Sequence, residues 1–410
     1  MIKLILHNVF KHKFLFILIG IMLVVLCFYL IVGMNAVFSV SKSLKQAVAD
    51  NMTGDLIITS RKATRIDIMT KDGEKNIIPL EKWQELLQFV QSQDYVETVS
   101  PRLRIRGYLQ SVDNILPVII TGVDPVSEPK LLPHRIINDG RWLSKSNEIN
   151  LYYRHSDYLN VNKNDILGIM INTIDGYSNF DTAKVVGILD YEDLDFYMEY
   201  SYFGFVDIDY LNSLLMTKEK TVGELFITLK DKKAVDRLQK AIVGNFGDTY
   251  RFIRPENSGS LISGIYKLTY FIVYFVAFLL LIMVFLCSSF LVSLSIETRR
   301  QEIGIYQALG VKKWRIGLLF GGEFLVVMFL FGFIGTLLGM YFMQGISHNG
   351  IEASIIPLRL IFGRSILFIQ NHFESYLIVL LILLVAFIGN VSNAISKLSK
   401  LDPVEVMREL

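Results

Sequence analysis

The chain has 410 residues, 52% of them hydrophobic, and a formal net charge of +2. This near-neutral balance excludes the strongly basic surface that binds nucleic acid, and a mean hydropathy of +0.42 is high for a soluble protein of this length. Both cysteines, Cys27 and Cys287, lie in apolar stretches, so the polar part of the chain is expected to fold without disulfides.

Four long apolar stretches predict transmembrane helices. An α-helix rises about 1.5 Å per residue, so about 20 apolar residues cross a hydrocarbon core of roughly 30 Å. The apolar core of a signal peptide runs only about 7–15 residues, so we interpret the first stretch as an uncleaved anchor. The predicted spans are residues 14–38, 268–296, 316–346 and 375–395.

Lysine and arginine predict the orientation of these spans. They are concentrated in the N-terminal segment 1–13, the loop 297–315 and the tail 396–410, whereas the charges of the loop 347–374 balance. Short segments rich in Lys and Arg stay in the cytoplasm. We therefore expect both termini and the loop 297–315 to be cytoplasmic, and the polar segment 39–267 to lie on the opposite side of the membrane with the loop 347–374.

The polar segment predicts an α/β domain inserted between the first two spans. Residues 39–50 lack Gly and Pro, so we expect them to extend the first helix as a stalk. The predicted fold class is therefore a membrane protein of four transmembrane helices with a large, two-lobed extracytoplasmic α/β domain. The first lobe comprises residues 51–123 and 221–256, and a strand-rich second lobe is inserted at 124–220. Within the first lobe we predict strands at 56–59, 96–109, 115–123, 224–229 and 249–253, and helices at 79–93 and 232–243.

The sequence lacks the common motifs of nucleotide and metal sites. G-x-x-x-x-G-K-[ST] does not occur, so this chain is not expected to bind ATP and Mg²⁺ itself. G-x-S-x-G and H-E-x-x-H do not occur either, and the six histidines have no metal-ligand spacing. We therefore predict no catalytic residue, no metal site and no cofactor in this chain.

The loop between the second and third spans carries the most specific pattern. Its charged start is followed by an apolar patch that ends at Gly310, where a glycine suits a helix C-cap. The pattern predicts a short amphipathic helix at the inner membrane face, with a basic loop that only sets topology as the alternative. Glu323, early in the third span, is expected to reach the membrane surface or to pair with an Arg or Lys of the loop in a structural role.

The amino-acid sequence of this loop resembles that of the family of ABC-transporter permeases that includes MacB, FtsX, LolC and LolE. The tail 401–408 is similar to the D-P-V-E-A-L-R ending of that family, and the order of one span, ectodomain and three spans is also similar. The resemblance implies a bacterial inner-membrane protein that pairs with a second permease, identical or sister, and with a cytoplasmic ABC ATPase subunit that binds ATP and Mg²⁺. It also implies that the loop docks on that ATPase. The candidate coupling residues are Glu297, Arg299, Glu302, Ile303, Gly304, Ile305, Ala308, Leu309 and Gly310.

Local segments resemble the lipoprotein-release branch, LolC and LolE, in particular residues 33–35, 119–125 and 184–189. The resemblance implies mechanotransmission: ATP-driven motion of the helices extracts a lipoprotein from the outer leaflet and passes it to a periplasmic carrier. Candidate lipid contacts fall on two helices, where the tyrosines recur every four residues and therefore share one face. An ordinary aromatic belt is the alternative for the tyrosines. The candidate lipid contacts are Met34, Asn35, Phe38, Tyr266, Tyr270 and Tyr274.

A hairpin at 171–181 is the candidate contact for the carrier. Asp175 and Gly176 form a turn signal, and Tyr177 follows them. An ordinary connecting hairpin is the alternative. At the level of the whole protein, two other functions remain open: a MacB-like efflux permease that works with a periplasmic adaptor, and an FtsX-like activator of a cell-wall hydrolase.

Overall fold

The computed structural model describes residues 11–400, apart from 12, 63–77, 132–135, 191–202 and 259. The tail 401–410 and nearly all of the N-terminal segment 1–13, which carried predictions above, lie outside the described residues. The chain divides into two compact units. The first comprises Met1–Val40, Leu268–Ile351 and Leu367–Leu410, and the second comprises Ser41–Lys267 and Glu352–Ile366.

The described residues contain eleven α-helices, and the longest are apolar. They are α1 (Lys13–Val48), α2 (Trp83–Gln91), α3 (Glu128–Leu131), α4 (Tyr153–Leu159), α5 (Ile208–Leu214), α6 (Val235–Phe246), α7 (Ser260–Thr298), α8 (Arg300–Ala308), α9 (Lys313–Asn349), α10 (Ile356–Phe362) and α11 (Phe373–Lys400).

Three helical stretches of the described residues are long and apolar enough to span a membrane. They are Phe16–Thr53, Gly264–Met283 and Trp314–Asn349, on α1, α7 and α9. Helix α11 covers the fourth predicted span, but its apolar stretch, Phe373–Ala386, is shorter. The fourth span and the orientation of the helices therefore stay predictions.

In the first unit, α9 approaches α1 closely at two glycines. A Cβ atom on Gly335 would lie 2.6 Å from the carbonyl oxygen of Val24 and 2.9 Å from the Cβ of Cys27. A Cβ atom on Gly339 would lie 3.0 Å from the side chain of Ile31. The G-x-x-x-G pattern of α9 therefore serves helix packing within one chain.

The second unit is built on one continuous sheet. Its ten strands follow the order β10-β1-β9-β2-β3-β8-β5-β7-β4, and β6 pairs with both β2 and β7. Two further strands, β11 (Ile351–Glu352) and β12 (Ile366–Leu367), pair with each other. The ten strands are β1 (Leu56–Ser60), β2 (Val96–Gln110), β3 (Ile115–Val123), β4 (Ile136–Gly140), β5 (Glu148–Tyr152), β6 (Ile166–Asn172), β7 (Ser178–Asp190), β8 (Phe203–Asp207), β9 (Glu224–Leu229) and β10 (Tyr250–Ile253).

Six of these strands close into a small barrel. Going round the ring, β2 pairs with β3, β3 with β8, β8 with β5, β5 with β7, β7 with β6, and β6 with β2. Side chains of a strand alternate between its two faces, so every second residue points inward. On β6 these are Leu167, Ile169 and Ile171, all buried, and they belong to the main hydrophobic core.

Strands β10, β1 and β9 form an α/β half that shares β2 with the barrel, whereas β4 pairs with β7 at the other end of the sheet. The first part of β2 pairs with β9, and its last four residues pair with β6. Helices α2 and α6 pack on this half through buried residues such as Leu86, Val90, Leu238 and Ile242, which belong to the same core as the barrel interior. The division into two lobes stays a prediction, although one sheet joins them. Strands of both predicted lobes form one sheet over one core, because β2 and β3 of the first predicted lobe also complete the barrel.

The end of α1 packs on the other face of the sheet. Leu44, Ala47 and Val48 are fully buried and cluster with Ile57 of β1 and Phe226 of β9. Neighbours of Ile57 and Phe226 along their strands lie in the main core, so these two side chains point to the opposite face. The predicted stalk is helical up to Val48, and its end is buried within the second unit.

A π-helical turn, Ala49–Thr53, joins α1 to β1. Gly54 follows it with a φ of +65°, and a Cβ atom there would lie 2.6 Å from the carbonyl oxygen of Ile227. The segment around α10 contacts the same region. Arg364 Nη2 donates to Asp50 Oδ2 at 2.7 Å. The segment Glu352–Ile366 of the loop 347–374 thus belongs to the second unit.

Candidate coupling site

Helix α8 lies between α7 and α9 and ends as its sequence predicts. Gly310 has a φ of +77°, its N–H donates to the carbonyl of Gln307 at 3.0 Å, and the N–H of Val311 donates to the carbonyl of Tyr306 at 3.0 Å. This pair of hydrogen bonds is the Schellman motif, in which the left-handed residue is usually glycine. The prediction of a short helix that ends at Gly310 is confirmed.

A buried arginine ties α8 to α9. The side chains of Arg299, at the N-cap of α8, and Glu323, on α9, are each 1% exposed. Arg299 Nη1 donates to Glu323 Oε2 at 2.5 Å and Nη2 donates to Oε1 at 3.4 Å. Arg299 Nε donates to Glu302 Oε2 at 3.0 Å, and Lys11 Nζ donates to Glu302 Oε1 at 2.5 Å. We refer to these four residues as the Arg299 cluster; each of its carboxylates contacts a cation, which offsets part of the cost of burial.

The contacts within the Arg299 cluster favour the charged forms of Arg299 and Glu302. Burial acts to lower the pKa of Arg299, but its hydrogen bonds to Glu323 and Glu302 outweigh burial and raise that pKa above its usual value. Burial acts to raise the pKa of Glu302, but hydrogen bonds from Lys11 and Arg299 outweigh it and lower that pKa. The ion pair between Arg299 and Glu302 therefore persists at neutral pH.

Helix α8 has a buried face and an exposed face. Ile303 is 1% exposed and packs in a cluster with Ile296 of α7, and Gly304 beside it is also buried. Ile305 is 56% exposed and Leu309 is 75% exposed. A helix that leaves two large apolar side chains uncovered on its outer face has a surface suited to a protein partner.

The remaining candidate coupling residues surround this exposed face. Glu297, Ala308 and Gly310 are exposed. The Glu297 carboxylate lies 3.9 Å from the guanidinium of Arg300, an ion pair one helical turn apart. The coupling segment thus presents a mixed surface of apolar and charged groups.

The candidate lipid contacts on α1 are buried. Met34 is 3% exposed and Asn35 is 0% exposed, whereas Phe38 is partly buried. Asn35 Oδ1 accepts a hydrogen bond from the backbone N–H of His372 at 2.7 Å, and the rings of Phe38 and His372 lie 5.8 Å apart. The structure thus places Asn35 and Phe38 against the segment that precedes α11, and Met34 is buried as well.

The three tyrosines lie along α7. Tyr266 and Tyr270 are partly buried and Tyr274 is 65% exposed. The rings of Tyr270 and Tyr274 lie 6.3 Å apart, consistent with one helical face. This geometry suits both a lipid contact and an aromatic belt, so the role of the tyrosines stays a prediction.

Asp175, Gly176 and Tyr177 form the turn between β6 and β7. Gly176 has a φ of +86°, and its N–H donates to the carbonyl of Thr173 at 3.0 Å. All three turn residues are exposed, Tyr177 at 73%. The hairpin exists as predicted, while contact with a carrier stays a prediction.

Sequence reasoning missed two buried charges, Arg102 on β2 and Glu128 on α3. Their side chains are 6% and 0% exposed and form an ion pair at 2.7 Å. β2 carries three arginines, Arg102, Arg104 and Arg106, so no local pattern marked the ion pair of Arg102. Among the described residues, no cluster of three or more His, Cys, Asp or Glu side chains could hold a metal ion.

Two family models match the chain. The MacB-like periplasmic core domain matches residues 14–244, more than half of the chain, and the FtsX-like permease C-terminal domain matches residues 268–403. The chain therefore belongs to the MacB/FtsX superfamily of ABC-transporter permeases. It is a membrane permease component with an extracytoplasmic domain, and permeases of this type work within ABC transporters with an ATPase partner.

Two solved structures show distant similarity. The periplasmic region of MacB from Actinobacillus actinomycetemcomitans is 12% identical with a TM-score of 0.37, covering 52% of this chain and 94% of that one. The extracellular domain of the noncanonic ABC-type transporter YknZ from Gram-positive bacteria is 9% identical with a TM-score of 0.35, covering 49% of this chain and 100% of that one. No curated protein sequence matches the chain.

Proposed function

We propose that the chain is the permease subunit of a bacterial ABC transporter that works by mechanotransmission and extracts lipoproteins from the outer leaflet of the inner membrane. A cytoplasmic ATPase subunit binds ATP and Mg²⁺, a second permease completes the membrane part, and a periplasmic carrier receives the lipoprotein. The observation that carries the mechanical part of this proposal is the coupling helix α8, with its exposed Ile305 and Leu309 and its buried anchor Arg299.

The exposed face of α8 docks on the ATPase. Ile305 and Leu309 lie one turn apart on α8, so both contact the same groove of a partner. Because Arg299 bonds to Glu323, a displacement of α8 also displaces α9. ATP-driven closure of the partner thus becomes a motion of the transmembrane helices.

The first helix carries this motion outward. Helix α1 runs without a break from Lys13 to Val48, and a continuous helix transmits tilt or rotation along its length. The burial of Leu44, Ala47 and Val48 against the sheet makes its outer end part of the extracytoplasmic domain. This arrangement supports a lever that needs no channel for the cargo.

The cargo assignment rests on the resemblance to LolC and LolE and on the apolar surfaces of the helices. Tyr270 and Tyr274 offer an adaptable aromatic surface to acyl chains. Asn35 becomes accessible to lipid only when the segment before α11 separates from α1, since its Oδ1 accepts a hydrogen bond from the backbone N–H of His372. A MacB-like efflux permease is the second candidate, favoured by the family model that matches residues 14–244.

Copurification of the chain with its ATPase in mild detergent, followed by mass spectrometry, distinguishes these functions. Acylated lipoproteins in the complex support the proposal. A periplasmic adaptor without lipoproteins supports the efflux function, and a cell-wall hydrolase supports an FtsX-like activator.

Docking of α8 is tested separately with Ile305→Asp. Ile355 offers a matched control, because it is 57% exposed against 56% for Ile305 and lies in the loop predicted on the other side of the membrane. We expect Ile305→Asp to abolish copurification of the ATPase while Ile355→Asp leaves it intact. Equal binding by both variants would contradict docking through α8.

A further inference from the structure

The end of α1 meets a buried ion pair that the lever mechanism described so far does not use. Glu128 on α3 is fully buried and holds Arg102 of β2 in a two-pronged contact. Arg102 Nε donates to Glu128 Oε2 at 3.0 Å, and Nη2 donates to Oε1 at 2.7 Å. Ser100 Oγ also donates to Glu128 Oε2, at 2.9 Å. The carboxylate is thus fixed from the side of β2.

The third nitrogen of Arg102 reaches the end of the stalk. Its Nη1 donates to the carbonyl oxygen of Met52 at 3.4 Å. Met52 lies in the π-helical turn, whose last carbonyls lack partners inside the helix and need donors from elsewhere. The guanidinium carbon also lies 3.7 Å from the ring centroid of Phe226 on β9. Arg102 therefore contacts the stalk end, α3 and β9 at once.

The surroundings make this contact rigid. Met52 is 4% exposed and Thr53 is 0% exposed, and a planar guanidinium bonded at both edges has a fixed orientation. Buried ion pairs often add little stability compared with apolar residues of the same volume, so we interpret this pair by the group that it positions. Here the positioned group is the backbone carbonyl of Met52, which lies in the turn that joins α1 to β1.

We infer that Arg102 and Glu128 are positioning residues that clamp the end of α1 to the sheet, so that motion of the stalk is delivered to the extracytoplasmic domain. The inference rests on the proposed lever function. Without the clamp the second unit folds, but the stalk end acquires freedom relative to β2.

The test uses a variant that should keep its fold. R102M/E128L replaces the buried pair by apolar side chains, a change that buried ion pairs often tolerate without loss of stability. The same strand supplies the control, R104M/E224L. Arg104 and Glu224 also form a buried, two-pronged pair, at 2.5 and 2.7 Å, but Arg104 bonds to β9 rather than to the stalk.

Two spin labels report the clamp in the full chain, with Cys27→Ala and Cys287→Ala as background. Lys42→Cys on the stalk and Val112→Cys in the turn between β2 and β3 are exposed and belong to the same compact unit. Pulsed electron paramagnetic resonance measures the distribution of their separation. We expect R102M/E128L to lose the narrow distribution that the wild type and R104M/E224L retain. An equally narrow distribution in R102M/E128L, or equal broadening in the control, would overturn the clamp.

The second measurement is ATP turnover and cargo release in the complex with the ATPase. We expect R102M/E128L to hydrolyse ATP like the wild type and to lose cargo release. Normal release by this variant would overturn the role in transmission. If the wild-type complex itself releases no cargo, the proposed function fails. The distance measurement still tests whether Arg102 and Glu128 hold the stalk end to the sheet.

Discussion

At the scale of single residues, Arg299 explains why an acidic residue can lie within a predicted membrane span. Glu323 is 1% exposed and would be costly to bury alone. Arg299, at the N-cap of α8, forms an ion pair with it. Arg299 also pairs with Glu302, and Glu302 pairs with Lys11, so positive and negative groups alternate. Pairing of Glu323 with an Arg or Lys of the loop was one of the two arrangements predicted from the sequence.

We expect strong energetic coupling between Arg299 and Glu323, the two most buried members of the Arg299 cluster. R299M leaves Glu323 without its main cation, so we expect a loss of about 3–5 kcal/mol in the free energy of unfolding. R299M/E323L removes both charges and should recover most of that loss. Unfolding in detergent, followed for the two single variants and the double variant, measures the coupling. Additive effects of the single changes would contradict it.

A carboxylate in the second unit predicts a dependence on pH. Glu148 is 7% exposed on its side chain; the hydrogen bond from Arg141 and those from the backbone N–H groups of Ser144 and Lys145 outweigh burial and lower its pKa from 4.5 to about 2. A lowered pKa contributes stability that is present above pH 4.5 and is lost as the pH falls towards 2.

We therefore expect E148Q to lower the free energy of unfolding by about 1–3 kcal/mol at pH 7, because the substitution removes the charge that these donors recognise. The difference from the wild type should shrink between pH 4.5 and pH 2. Tryptophan fluorescence, to which Trp142 next to Arg141 contributes, follows unfolding. A difference that stays constant down to pH 2 would show that the Glu148 charge is not the cause.

At the scale of elements, the approach of α9 to α1 depends on a missing side chain. A Cβ atom on Gly335 would meet Val24 and Cys27 within 3 Å, whereas on Gly345 of the same helix it would meet no described atom within 4 Å. We expect Gly335→Leu to destabilise the helical unit by about 1–3 kcal/mol, since overpacking forces helices apart. Gly345→Leu is the matched control. Thermal unfolding in detergent distinguishes the two, and equal midpoints would contradict the packing.

Local patterns predicted individual elements better than their assembly. Strands β3 and β9 have the predicted bounds, because alternation and turn residues mark them locally. The barrel could not be predicted, since it depends on long-range pairing of β7 with both β5 and β6, which no local period encodes.

The same limit applies to the coupling site. Its helix and C-cap are visible in the sequence, but the choice of Arg299 among the basic residues of the loop is not. The backbone of Arg299 leaves the helical region, with a φ of −117°, and this break between α7 and α8 aims its side chain inward. The burial of Met34 and Asn35 was likewise hidden, since it depends on the distant segment at His372.

At the scale of the whole molecule, the proposed lever mechanism requires that α1 stay a continuous helix. Ser43 lies within its helical stalk, where a proline would remove a backbone hydrogen bond and kink the helix at a cost of about 3 kcal/mol. We expect Ser43→Pro in the complex to retain ATP hydrolysis and to lose cargo release, with Ser43→Ala as the control. Release by both variants at the wild-type rate would argue against transmission through α1.

Strand β2 has a consequence for how the extracytoplasmic domain comes apart. The barrel and the α/β half each need this strand, so opening either one removes a neighbour from the other. Neither half can therefore act as an independent module that is lost first or exchanged between proteins. Amide hydrogen exchange should give the same free energy of opening for β6 and β9. Because both halves share β2, we expect the domain to unfold as one unit under heat or force.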